Sequence, residues 1–205
     1  MGLTANQLRD SLDALAIIEP RFAVALAQAG YPEPRGRDTG YPTLLRTIVG
    51  QQISFKAADA VWLKVAAAVG DINDPAAMVA MTDEQLRAAG LSRQKISYCR
   101  SLAELIVAGE LDFENLPADD EEAIAKLTAV KGIGRWSAEV YLLFAEGRAD
   151  IWPAGDLAVQ ESVGRILGHN SRPTEKTVRE VAESWRPHRG VAAVFAWHHY
   201  QIPVI

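Results

Sequence analysis

The sequence predicts an all-α protein, and three observations carry that prediction. Apolar residues recur at helical spacing through most of the 205 residues, helix starts and stops punctuate the chain at short intervals, and no stretch of length alternates polar with apolar residues between hairpin turns.

Taken in order, Thr4 caps a first helix reaching about Ile18. A second opens at Pro20 and stops at Gly30, following the preference for proline in the first turn and glycine past the last. The stretch 31–42, YPEPRGRDTGYP, is rich in proline and glycine and reads as a loop and a domain boundary. Leu44, Leu45, Ile48 and Val49 then repeat at helical spacing, and a further helix runs through Ala58, Val61 and Val65 to Gly70. Thr82 with Gln85 forms a capping box and Asp119 with Glu122 resembles one, so short helices start at each. Further helices are predicted over 92–109, 119–129, 134–147, 156–167, 174–185 and 190–200. No internal repeat or low-complexity tract is present.

With 49% hydrophobic and 23% charged residues, the chain is neither disordered nor fibrous. No apolar run reaches the roughly 18 residues that span a bilayer, and the N-terminal MGLTANQLRD lacks a basic flank followed by an apolar stretch. A soluble, unexported, cytoplasmic protein is expected. The single cysteine, Cys99, excludes an internal disulfide and a four-cysteine cluster, and fits a small apolar packing residue. Four histidines form no metal signature, because His198 and His199 are adjacent and would point about 100° apart on a helix.

The net charge of −5 argues against bulk attraction to nucleic acid, yet the charge is patterned. Leu91 to Ala103 carries Arg93, Lys95 and Arg100 with no acid, whereas acids crowd into 81–85 and 118–122, where helix starts favour negative charge.

The stretch KGIGRWSAEVYLLF, Lys131 to Phe144, with Asp156 about 20 residues beyond it, has the outline of a dinucleotide-binding fingerprint. That fingerprint needs a strand before its turn and a small third residue packing helix on sheet. Here the preceding DDEEAIAKLTAV has an acidic start and places Ile124 and Leu127 three apart, as a short helix does. The third glycine position is Ser137, and Asp156 follows Pro153 and Gly155 at a helix start. What remains is helix, tight glycine turn, helix. Gly132 and Gly134 permit positive φ and close backbone approach, and the amides opening the next helix attract phosphate oxygens without a basic side chain. A plain αα-corner would use the same glycines.

LTAVKGIGRWSAEVYLLF followed by GDLAVQ resembles the helix-hairpin-helix DNA glycosylase superfamily, and within it the alkylation-repair branch of the 3-methyladenine DNA glycosylase II type. IVGQQISFKAA (48–58), GLSRQKISYC (90–99) and WRPHRGVAAVFAWHH (185–199) agree, so the likeness covers about Tyr41 to His199. It implies two helical subdomains with a DNA-binding cleft between them. Residues 42–149 would carry the helix-hairpin-helix, at about 119–147, and 1–41 together with 150–205 would form the other. It implies a monofunctional glycosylase that flips alkylated purines of the 3-methyladenine or 7-methylguanine type out of damaged double-stranded DNA and hydrolyses their N-glycosidic bond in base excision repair. Bifunctional members carry a lysine two residues after the second hairpin glycine; Trp136 stands there, so no lyase activity is expected. Neither an iron–sulfur cluster nor a catalytic cofactor is expected, and the protein should act as a monomer, off the membrane, associated with the bacterial nucleoid when on DNA. Two alternatives stay open: another damaged base on the same scaffold, or a non-catalytic helix-hairpin-helix DNA-binding module.

The chemistry names its own residue types. A base alkylated on a ring nitrogen is a cationic leaving group, and its departure leaves an oxocarbenium-like sugar that a carboxylate can stabilise. Asp156 is the catalytic candidate, although its position equally suits a helix N-cap. A flipped cationic base needs an aromatic face. Trp136, opening the helix after the hairpin, is one candidate; by resemblance Trp197 matches the tryptophan that lines the base pocket, and Tyr141 stands one position out of register with the family's pocket tyrosine. Core packing is the alternative for each, and Trp62 and Trp152 read as core or boundary residues. Gln52 falls where the family places the wedge that fills the vacated stack, with Gln51 beside it. Lys131, Arg93 and Lys95 could meet phosphates or remain solvated. The family's hairpin also binds a structural monovalent cation through backbone carbonyls, which by position are those of Thr128, Val130 and Ile133.

Overall fold

The computed structural model describes residues 2–201, and among them α-helices follow one another with no strand. In chain order they are α1 (Ala5–Ile18), α2 (Pro20–Ala29), α3 (Tyr41–Gly50), α4 (Phe55–Val69), α5 (Pro75–Ala80), α6 (Asp83–Ala88), α7 (Arg93–Val107), α8 (Asp120–Thr128), α9 (Arg135–Tyr141), α10 (Leu157–Ile166), α11 (Glu175–Ala182) and α12 (Arg189–Tyr200). The hydroxyl or carboxylate starts are real caps: Thr4, Ser54, Thr82, Ser92, Asp119, Asp156 and Thr174 each accept a first-turn amide through the side chain. Each such cap is worth about 1 kcal/mol.

Three elements differ from expectation. α5 was not foreseen, although Asp74 caps it and Pro75 opens it; six residues are too few to show a helical period. The helix expected over 134–147 is α-helical only to Tyr141 and ends in a π-helical turn, Leu142–Glu146, stopped by Gly147 at φ +73°. The helix expected over 174–185 finishes as a 3₁₀ turn, Glu183–Trp185.

The chain divides into two compact units, residues 38–138 and a terminal unit that joins the chain up to Arg37 with Glu139 onward. The second boundary thus falls inside α9, not at the 149/150 junction expected from sequence. The reason is packing: beyond Ala138 the helix serves the terminal unit. Phe144 stacks on Trp197, the Phe144 carbonyl accepts the Arg37 amide at 2.9 Å, and Leu143 lies against Gly190.

In the 38–138 unit, α3 packs on α7, burying Leu44, Leu45, Ile48 and Val49 on one side and Ile96, Cys99 and Leu102 on the other. Cys99 is fully buried, and burial pushes its thiol up to about 12. The terminal unit is built on the Leu8, Leu12 and Leu15 stripe of α1 and on an aromatic cluster. Phe22 and Trp152 both meet Trp185 edge-on, with centroids 5.1 and 5.7 Å away, and the buried Trp152 Nε1 donates to the Val178 carbonyl. A Cβ on Gly190 would lie 2.7 Å from the Ala149 carbonyl, so glycine there seats α12 against the chain at Ala149.

Candidate nucleic-acid interface and active site

In the 38–138 unit the hairpin between α8 and α9 is held from outside itself. Gly132 has φ +81°, and a Cβ on it would sit 2.2 Å from the Tyr98 ring of α7. The Lys131 amide donates to Ser101 Oγ, also on α7, at 3.1 Å, and Gln51 Nε2 at the end of α3 donates to the Gly132 carbonyl at 2.9 Å. Within the turn, the Ile133 amide reaches the Val130 carbonyl at 3.1 Å. On Gly134 the space a Cβ would fill is empty, so its backbone can be approached closely.

The neighbouring cations separate into two kinds. Lys131 and Arg93 are exposed, as phosphate contacts must be. Lys95 is drawn back: half-buried, it donates to the Val49 carbonyl at the end of α3 at 2.7 Å, and burial lowers its pKa. Arg100 also faces inward, donating to the Val79 carbonyl at 3.1 Å and pairing with Asp83. Lys95, expected as a possible phosphate contact, is therefore a tie within its unit, since helix C-terminal carbonyls attract cations as phosphates do.

The two adjacent glutamines have also parted roles. Gln51 turns in to the hairpin, while Gln52 is exposed at φ +57°, a left-handed conformation uncommon outside glycine. Strain of this kind collects at functional sites. In the first turn of α9, Trp136 is 48% exposed.

In the terminal unit Asp156 is the N-cap of α10. Its Oδ1 accepts the amides of Ala158 and Val159, each at 2.9 Å, while its own amide donates to the Pro153 carbonyl. The buried Gln160, one turn on, donates to the Ala154 carbonyl at 2.7 Å and holds the same loop from beneath. The carboxyl group is thus fixed by the fold, and capping does not exclude a further role for it. Trp197 stacks on Phe144 with centroids 5.5 Å apart and planes 34° apart, and the pair forms one wall of a recess also lined by Pro32, Glu33, Val194 and His198. Tyr141 is only 4% exposed and presents no open ring face. Trp152 is core, whereas Trp62 is half-buried beneath the Arg46 guanidinium.

Sequence reasoning passed over Tyr98, Ser101 and Glu139. The first two reach the hairpin across about 30 residues of chain, which no local spacing reports. Glu139, 2% exposed, faces Arg179 at 3.6 Å; a carboxylate in the middle of an apolar helix pattern was the available signal. Among the described residues no three His, Cys, Asp or Glu side chains gather as a metal site, and no helix is long and apolar enough to cross a membrane.

A helical chain with a glycine hairpin opening onto a new helix and an aspartate cap beyond it is the helix-hairpin-helix arrangement that the resemblance implied. Residues 45–187 match the model of the HhH-GPD superfamily of base excision DNA repair proteins, and the chain belongs to that family. It is 34% identical over 163 residues to DNA-3-methyladenine glycosylase 1 of Schizosaccharomyces pombe, covering 77% of this chain and 71% of that one. Its structure is similar to that of the DNA-3-methyladenine glycosidase of Bacillus halodurans, with TM-score 0.86, 32% identity, and 93% and 89% of the two chains covered. It is also similar to the S. pombe 3-methyladenine DNA glycosylase solved in complex with abasic DNA, with TM-score 0.76, 28% identity, and 92% and 95% covered.

Proposed function

We infer that this protein is a monofunctional DNA glycosylase that hydrolyses the N-glycosidic bond of alkylated purines, of the 3-methyladenine and 7-methylguanine type, in duplex DNA. The observation that carries it is Asp156, whose Oδ1 is held by two backbone amides on the chain that follows the glycine hairpin. Family membership and relatives named as 3-methyladenine glycosylases support the substrate class.

In this mechanism the hairpin amides and Lys131 grip the backbone of one strand, and Gln52 enters the stack vacated by the extruded nucleotide. An aromatic face receives the cationic base: Trp197, stacked on Phe144, is the candidate in the terminal unit and the exposed Trp136 the candidate in the 38–138 unit. The Asp156 carboxylate stabilises the sugar cation as the glycosidic electron pair leaves with the base, which departs neutral; water then adds at the anomeric carbon and releases a proton to solvent. With Trp136 in place of an amine nucleophile, no Schiff base forms and the strand stays uncut. A monovalent cation would be held by the carbonyls of Thr128, Val130 and Ile133. The residues fit it, since the Val130 oxygen, while accepting the Ile133 amide, keeps a second lone pair. The enzyme would work as a monomer on cytoplasmic DNA.

The test is release of 3-methyladenine and 7-methylguanine from methylated duplex by the native chain and by Asp156→Asn. Asparagine caps a helix about as well as aspartate, so the variant should fold and bind DNA while excision falls by about 10²-fold or more. Excision unchanged by the substitution would overturn the mechanism; intact DNA binding with no excision of any damaged base by the native chain would mark a binding module.

A further inference from the structure

Beside the strained Gln52 the chain leaves two apolar side chains in water. Ile53 is 40% exposed and Phe55, the first residue of α4, is 82% exposed. An aromatic ring so exposed forgoes the burial that ordinarily holds such a residue inside. The fold also keeps it in place. Ser54 between the two caps α4 by accepting the Ala57 amide at 3.3 Å, and Gln51, immediately before Gln52, is hydrogen-bonded to the hairpin at Gly132. The Gln51–Phe55 turn is thus continuous with the hairpin, within one unit. From Thr43 to Ala58 the chain carries no acid; Arg46 pairs with Asp59 at 2.6 Å, and Lys56, exposed next to Phe55, is the cation that a phosphate can meet.

We propose that Phe55, seconded by Ile53, is an apolar prong that enters the minor groove of duplex DNA beside Gln52 and packs against the base stack at the vacated position. The inference rests on the glycosylase reading and adds a residue to its DNA-deforming apparatus. Gln52 supplies hydrogen bonds to the opened site but little apolar surface, and unstacking a base step is the work for which apolar wedges serve. An aromatic face on a neighbouring base would restore the stacking that extrusion removes, without sequence preference.

The test compares native chain, Phe55→Ser and Phe55→Leu for binding to a duplex carrying a tetrahydrofuran abasic-site analogue and to the same duplex undamaged. Phe55→Ser should bind the abasic duplex roughly 10-fold more weakly, with undamaged DNA affected about twofold or less, and Phe55→Leu should recover part of the loss. A 2-aminopurine placed opposite the lesion should be less quenched by Phe55→Ser than by the native chain. Thermal unfolding should be unchanged, because the ring is exposed in the free protein. Equal binding of the abasic duplex by native and Phe55→Ser chains would overturn the proposal. So would a change in sedimentation confined to the variant, which would make the ring a contact between copies of this chain. Failure of the native chain to bind abasic duplex or release any damaged base would overturn the glycosylase reading instead, and this proposal with it.

Discussion

Gln51 and Gly132, 81 residues apart in the chain, share one hydrogen bond: the Gln51 side-chain amide donates to the Gly132 carbonyl at 2.9 Å. The turn that ends α3 and the turn that joins α8 to α9 are thereby one assembly. Gln51→Leu should release the hairpin and weaken binding to damaged and undamaged duplex alike, by about 3- to 10-fold, as loss of a hydrogen bond worth about 1 kcal/mol requires. Equal affinities in fluorescence anisotropy would show that the bond does not set the hairpin's geometry.

Gly132→Ala should be among the most damaging single-methyl changes in the chain. It places a Cβ at φ +81° and 2.2 Å from the Tyr98 ring, so both strain and collision oppose it. A fall in Tm of about 5 °C or more is expected. Adding Tyr98→Ala should remove the collision but not the strain, so the double variant should recover some of what the collision costs. Strict additivity in calorimetry would argue against the contact.

Lys131 and Lys95 should differ in kind. Lys131→Ala should lower the salt slope of DNA binding by about one phosphate's worth. Lys95→Met should leave that slope alone and lower stability, because its ammonium answers the Val49 carbonyl. The measurement is the dependence of Kd on salt concentration, set beside thermal unfolding.

Trp197→Ala should reduce excision of alkylated purines while leaving affinity for undamaged duplex nearly intact. It removes an aromatic face supported by Phe144 and leaves the hairpin alone. Equal losses in both assays would assign the ring to packing.

Stability should decline on acidification partly through His199. Its Nδ1 lies 2.9 Å from the buried Ser162 hydroxyl; burial first, then the charges of Arg165 and His198, hold its pKa below the usual 6.5. The unfolded chain, with the ordinary value, binds the proton more readily. The contribution is therefore complete above about 6.5 and is lost as pH falls from there to the depressed folded value. Melting at about pH 7.5 and 5.5 should show the drop, and His199→Gln should flatten it. An identical drop in the variant would place the titration elsewhere.

Most of the secondary structure could be read directly, because caps and apolar periods act over three or four residues. Thr4, Thr82 and Asp119 begin helices where their side chains can reach a first-turn amide. Of the two hairpin glycines read as free to take positive φ, Gly132 takes it and Gly134 does not, and Asp156 stands at a helix start as read. α5 escaped because it is too short to repeat, and the π-helical turn after Tyr141 because i+5 bonding leaves the same apolar letters as i+4.

By itself the sequence determined an all-α chain, a hairpin with its two glycines, and an aspartate beginning the helix beyond. Each of these depends on the conformational limits of a few adjacent residues. Only the tertiary structure decided that Gln51 serves the hairpin while Gln52 stands strained in water, and that Lys95 turns to Val49 while Lys131 stays exposed. It also decided that the chain divides within α9. The physical reason is one of range. Which of two equivalent side chains is committed inward depends on a carbonyl or ring brought near from a distant part of the chain, and the spacing of neighbouring letters holds no record of it.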